Sequence, residues 1–371
     1  MKIITLIIRV ITGVLFIFSG LVKAIDPRGL AYKMQEFFEA FSNDGYFVKM
    51  MHTLGEYALT FSIIIITLEV IIGVALLLGW QKKFTAVMLL LLMVLFTFLT
   101  SYVLFSGKIR ACGCFGDCIP ITPVQTFTKD IILLIFSVFI LFSLKYINPV
   151  AKPFPLLLYM AIAVLATVSL QIYVLSHLPI VDCLPFKKGN NILKLREMPE
   201  NAIQDKFDYT FTYSKNGEKK DFKPDALPDS TWEYVDRKQI LIEKGSNNIP
   251  LINDFNLTND LGEDVTNDIL QLKDPYYLLY IKDISRDAKE WLPELKRIID
   301  NNKDRKFYFI TSQAKPVQEF IKTNEIQITG LLTLDATALK TAARANPTLY
   351  LMKGPVVQKK WGWADFDSVL K

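Results

Sequence analysis

Apolar positions fall into two unlike regimes along this chain of 371 residues. Up to about Leu178 they run in long blocks, and beyond it they alternate with charge and polar turns. The blocks Ile3–Val22, Tyr57–Trp80, Phe84–Phe105, Ile131–Tyr146 and Phe154–Leu175 each approach the roughly 20 residues that carry an α-helix across a bilayer. The first follows a lysine, as a signal peptide does. Its length, its Arg9 and the spans behind it predict a retained helix instead. Five spans put the two chain ends on opposite sides. The loop after the third span then shares a side with everything beyond Leu178. Between the first two spans, Leu30–Phe38 places apolar groups at helical spacing and predicts a helix lying in the interface.

The second regime starts with two helix breakers. Pro179 and Pro185 predict an extended exit from the last span, with Cys183 close above the membrane. Residues 190–249 alternate Tyr, Phe, Thr and charge, with Asn216-Gly217 as a hairpin turn, and predict a small β-rich linker. From Pro250 strand and helix patterns alternate: strands at Tyr276–Ile281, Lys306–Thr311 and Gly330–Leu334, helices at Arg286–Asn301, Lys315–Lys322 and Ala336–Arg344. A hairpin about Gly354-Pro355 joins Thr348–Met352 to Val356–Trp361. This is the order of an α/β sandwich. The expected organisation is a transmembrane domain over 1–178, an exit and linker over 179–249, and a soluble α/β domain over 250–371.

Charge adds little about partners and something about orientation. The formal net charge of +5 is spread out, with no basic stripe interleaved with aromatics, so nucleic-acid binding has no support. The basic connections Gln81-Lys82-Lys83 and Lys145–Lys152 favour the inside. The opposite loops are also basic, but they are longer and carry Asp26, Glu36, Glu39 and Asp44. The expected placement is a bacterial inner membrane with the C-terminal part in the periplasm. Within the spans, Arg9 and Glu69 are charges that need partners. Helical rise puts their depths within about one turn, which predicts an Arg9–Glu69 pair. The alternative for Glu69 is a proton or quinone-headgroup site.

The candidate chemistry lies in Ala111–Cys118, which holds Cys112, Cys114 and Cys118, three of the four cysteines. Glycines between them let the sulfurs approach one another. Such thiols staple a loop, exchange disulfides with a partner, or hold a soft metal. With two histidines in the chain, no metal is expected. Cys183 is a candidate accessory thiol on the same side. Lys108 and Arg110 favour thiolate at Cys112, whereas Asp117 opposes it at Cys118. Cys112 is the expected nucleophile, with Cys114 or Cys118 resolving.

Two resemblances sharpen this picture. Arg9–Lys23 followed by Asp26-Pro27, then Leu68-Glu69, Gly73 and Leu76–Gly79, resemble DoxX-type membrane proteins. Cys112–Asp117, with Thr122-Pro123 and Thr126-Phe127, is similar to the MauE-type branch of that group. The fifth span and long tail resemble the longer form found in Bacteroidetes. This resemblance implies a four-helix core and an association with thiol and respiratory redox chemistry; it assigns nothing to Cys118. The last 120 or so residues resemble the thioredoxin fold, with Asn346-Pro347-Thr348 as its cis-proline loop and partner groove. Counted back from Pro293, the fold's C-x-x-C falls on Ser285-Arg286-Asp287-Ala288, which has no sulfur. Ser285 is expected there as a helix cap. The resemblance therefore implies a groove that binds a partner and does not exchange disulfides itself.

The expected function is an inner-membrane thiol–disulfide redox protein, exchanging through Cys112, Cys114 and Cys118 with a periplasmic client and admitting a quinone in the bundle. The alternative is a non-catalytic assembly or maturation factor whose cysteines are a structural staple. A subunit of a respiratory oxidase is a third reading, without haem ligands to support it.

Overall fold

The computed structural model describes residues 1–109, 113, 115–243, 245–284 and 288–371. Among them, five helices are long and apolar enough to cross a membrane: α1 (Lys2–Ala24), α4 (Ala58–Leu78), α5 (Lys82–Ser106), α6 (Pro123–Phe142) and α7 (Pro153–Ser176). Two shorter helices, α2 (Pro27–Asn43) and α3 (Val48–Glu56), fold between α1 and α4. Asp26 caps α2 by accepting from the Gly29 amide at 3.0 Å, and Pro27 suits its first turn.

α1 and α4 pack against each other at glycines. A Cβ at Gly73 would lie 2.7 Å from the Gly13 carbonyl oxygen, and one at Gly20 would lie 2.6 Å from Val70. Backbones that approach this closely fix the register of the two helices. Leucine, isoleucine, phenylalanine and methionine from α1, α4, α5 and α6 fill the bundle.

The fourth span begins eight residues before the expected Ile131. Thr122 and Gln125 form a reciprocal capping box with Pro123 behind the cap, so the helix starts at Pro123. Lys129 and Asp130 are thereby placed inside it.

Beyond α7 the chain makes two sheets. Residues 206–243 form a three-stranded antiparallel sheet from β1 (Lys206–Lys215), β2 (Glu218–Phe222) and β3 (Glu233–Glu243), ordered β2-β1-β3. Asn216 and Gly217, both at positive φ, make the β1–β2 turn. A short helix, α8 (Ile192–Arg196), precedes this sheet, and α9 (Thr266–Leu270) follows it.

The second sheet is five-stranded, ordered β6-β5-β4-β7-β8. Its strands are β4 (Tyr276–Ile281), β5 (Phe307–Thr311), β6 (Gly330–Thr333), β7 (Thr348–Lys353) and β8 (Val356–Gly362). β4 runs parallel to β5, and β5 to β6, while β4–β7 and β7–β8 are antiparallel. Helices α10 (Ala288–Asp300), α11 (Ala314–Thr323) and α12 (Ala336–Ala342) make the connections. The Asn346–Pro347 peptide is cis. This is a thioredoxin-like domain.

Its boundary differs from the expected 250. Phe186 and Ile192 lie in the same core as Tyr280 and Tyr350, and the Gly189 amide donates to the Val357 carbonyl at 2.8 Å. The chain thus enters the α/β domain directly after the exit, and the three-stranded sheet is an insert. Polar alternation concealed this, because the inward Leu184, Phe186 and Ile192 are separated by proline, lysine and asparagine.

Candidate functional site

Cys118 forms a disulfide with Cys183. The bond joins the α5–α6 loop to the exit from α7, so both stand on one side of the bundle. Cys112 and Cys114 lie outside the described residues, as does the expected cap Ser285 with Arg286 and Asp287. Cys118 had been expected among the exchanging thiols; its partner is instead the accessory Cys183, brought close because the hairpin of α6 and α7 returns the chain to the same surface.

The loop is also gripped by the thioredoxin-like domain. Arg344, at the end of α12, is buried and donates through Nε to Asp26 and through Nη2 to Asp117, each at 2.7 Å. Asp117 is the neighbour of Cys118. Burial opposes the Arg344 charge, but Asp26, Asp117 and Tyr32 offset it and hold its pKa above the ordinary arginine value.

Tyr32 of α2 stands beneath three cations, with Lys282, Lys340 and Arg344 at 5.8, 5.4 and 5.3 Å from its ring centroid. Lys282 donates to the Tyr32 hydroxyl at 3.1 Å. Its amine is pushed well below the usual lysine range, first by burial and then by Arg28 and Arg344. Lys340 donates to Gln35 at 3.2 Å.

These contacts settle where the expected groove faces. The Asn346 side chain accepts from the Lys282 amide at 2.8 Å and donates to the Asp283 carbonyl at 2.9 Å. Pro347 and Thr348 are buried. Lys282, whose amide Asn346 holds, reaches Tyr32 of α2, so the chain's own α2 stands beside the expected groove. Charge contributes: Asp26 at the start of α2 and Asp117 in the cysteine loop both meet Arg344 of the domain edge. A second tether lies by α7, where Lys360, itself buried, donates to Asp182 at 2.7 Å.

Inside the bundle the expected Arg9–Glu69 pair is replaced. Glu69 pairs with Lys23, and both are buried. Arg9 lies beside the Leu77 carbonyl at 3.4 Å. The glycine register of α1 on α4 sets this, since it places Gly20 against Val70 and Glu69 and so puts the last turn of α1 at the depth of Glu69. The apolar block ends at Val22, but the helix continues to Ala24 and so carries Lys23.

A cavity opens beside this pair. It is lined mostly by apolar groups such as Leu15, Leu30, Met93 and Phe96, and it also receives Lys23, Glu69, Lys129 and Asp130. Lys129 pairs with Asp130 at 2.9 Å and lies 4.9 Å from the ring centre of Phe115 in the cysteine loop. Lys129 and Asp130 were hidden in the sequence by the late start assigned to their helix. The capping signature Thr122-Pro123-Val124-Gln125 is the signal that reveals them. On the outer side of the same loop a second cleft is lined by Lys33, Phe115, Asp117, Ile119 and Pro120.

The fold and these contacts define a helical membrane bundle joined to a thioredoxin-like domain. Residues 1–145 match the family model described as Methylamine utilisation protein MauE. Residues 207–244, the inserted sheet, match a Domain of unknown function (DUF8463). The chain is similar to "Protein TlpB" of Flavobacterium psychrophilum, 28% identical over 204 residues, which is 53% of this chain and 49% of that protein. It spans about half the length of the curated relative it matches. The protein is a multi-pass membrane protein.

Proposed function

We propose that this chain is a thiol–disulfide exchange protein of a bacterial inner membrane, with Cys112 and Cys114 as the exchanging pair. The thioredoxin-like domain, in the periplasm, holds the loop that carries them. The observation that carries this reading is the Cys118–Cys183 disulfide. Of four cysteines in the sequence, it leaves the two of the C-G-C as the thiols available for exchange. Arg344 on Asp117 and the disulfide at Cys118 anchor the C-terminal side of the loop next to that pair. The outer cleft offers a client protein a way to the loop.

In the forward step a client thiolate attacks the Cys112–Cys114 disulfide and forms a mixed disulfide with Cys112, releasing Cys114 as thiolate. The client's second thiolate then attacks its own mixed-disulfide sulfur. The client leaves oxidised by two electrons, and the loop is left as a dithiol. The outer domain contributes positioning, since its sequence holds no cysteine between residues 250 and 371.

The test is a trap. Exchange also runs in reverse, with the Cys112 thiolate attacking a client disulfide and Cys114 releasing the client; with Cys114→Ser in the full-length protein that release is lost, so a reductant-sensitive adduct between Cys112 and a client should accumulate in cells. A second reading, an assembly factor stapled throughout, draws on the same Cys118–Cys183 tether. It requires that no adduct form and that Cys114→Ser only lower stability.

A further inference from the structure

Five ionisable side chains from four helices line one apolar cavity at the cysteine-loop end of the bundle: Lys23 of α1, Lys33 of α2, Glu69 of α4, and Lys129 and Asp130 of α6. Glu69 and Asp130 are 2% and 1% exposed. Each keeps one carboxylate oxygen, Oε2 and Oδ2, without a hydrogen-bond partner among the described residues. A buried acceptor left without a donor is costly, so such oxygens mark a missing ligand or water. A lipid acyl chain would satisfy neither. A flat apolar head group bearing two hydroxyls would satisfy both.

The position narrows the ligand further. Gly113 and Phe115 line this inner cavity, and the same two residues, with Lys33, line the outer cleft. The loop is thus a partition between a space open to a protein and a space within the bundle. A loop that has become a dithiol needs an oxidant, and the cavity can admit one that dissolves in the bilayer.

We infer that this cavity binds the head group of a lipid quinone, which accepts two electrons from the loop dithiol. The inference rests on the exchange reading above. Two thiols form one S–S bond, and their two electrons and two protons convert the quinone's two carbonyls to hydroxyls. Lys23 and Lys129 would donate hydrogen bonds to the quinone oxygens, and Glu69 Oε2 and Asp130 Oδ2 would accept them from the quinol.

The experiment uses the full-length protein in lipid nanodiscs with decylubiquinone as probe. Saturable binding is expected. Leu30→Trp fills the cavity without touching a charge and should weaken binding at least tenfold; Glu69→Gln and Asp130→Asn should weaken binding of the reduced probe, decylubiquinol, whose hydroxyls would donate to those carboxylates, by a similar factor. The reduced wild-type protein should convert one equivalent of decylubiquinone to its quinol. Absence of saturable binding, or an affinity unmoved by Leu30→Trp, overturns the inference even if the carboxamide variants misfold. If the Cys114→Ser adduct forms but no quinol appears, the quinone is rejected and thiol exchange stands. If quinone binds but the thiols are inert to it and to clients, the exchange reading falls and the acceptor role falls with it.

Discussion

A guanidinium nearly closed off from water must have its charge matched, and Arg344 is matched twice, by Asp26 and Asp117. Replacing it strands the largely enclosed Asp26 carboxylate, while Asp117 keeps access to water. Arg344→Met should loosen the docking of the outer domain by about 3 kcal/mol, read as faster protease cleavage between Leu178 and Leu184. Asp117 is 41% exposed, so Asp117→Asn should cost less, under about 1 kcal/mol. Lys282 gives the same interface a pH dependence. Its folded-state pKa is depressed by burial and by Arg28 and Arg344. The folded state therefore holds the proton more weakly than the unfolded chain does, and ionised Lys282 is a penalty at low pH. Docking should strengthen as pH rises from the lowered pKa toward the unfolded value near 10.4. In Lys282→Met that part of the slope should disappear. The buried Lys23–Glu69 pair predicts a different pattern: Glu69→Leu alone should lower bundle stability by more than Lys23→Leu with Glu69→Leu, because only the single change strands a charge. Equal losses on thermal melting would exclude that coupling.

Register, more than composition, decides which residues meet in the bundle. Gly13, Gly20 and Gly73 let α1 and α4 touch backbone to backbone, and this contact delivers Lys23 to Glu69. Gly73→Leu should part the helices, costing on the order of 2 kcal/mol, and should lower the thermal midpoint without altering the isolated outer surface chemistry. The spans themselves were legible from their apolar blocks, and the α/β order from Tyr276 to Trp361 was legible because β4, β5 and β7 are continuous apolar runs between amphipathic helices. Ion pairing was not legible. Which charge reaches Glu69 depends on a glycine contact between two helices, which helical rise alone does not report. The burial of Phe186 and Ile192 in the outer core was equally hidden, since it is a long-range contact made by a polar stretch. Lys129 and Asp130 were recoverable from the cap at Thr122, a local signal that the apolar count outweighed.

At the scale of the whole molecule, the outer domain has the shape of a thioredoxin and, from residue 250 onward, no cysteine with which to act as one. Its cis-proline edge is turned to α2, its Arg344 to the cysteine loop, and its Lys360 to the exit from α7. Together with the Cys118–Cys183 bond these contacts hold one half of the loop still, while the account assigns exchange to the other half. The two cysteine pairs should therefore differ in redox behaviour, because tethered structural disulfides resist reduction and exchanging ones do not. The direct measurement is differential alkylation, read by mass spectrometry, on the full-length protein in membranes equilibrated across a series of glutathione redox buffers. The account predicts that Cys112 and Cys114 become reduced together at a less reducing potential, while Cys118 and Cys183 remain joined. Reduction of all four cysteines in a single step, or a Cys112–Cys114 pair that no buffer in the series opens, would contradict it.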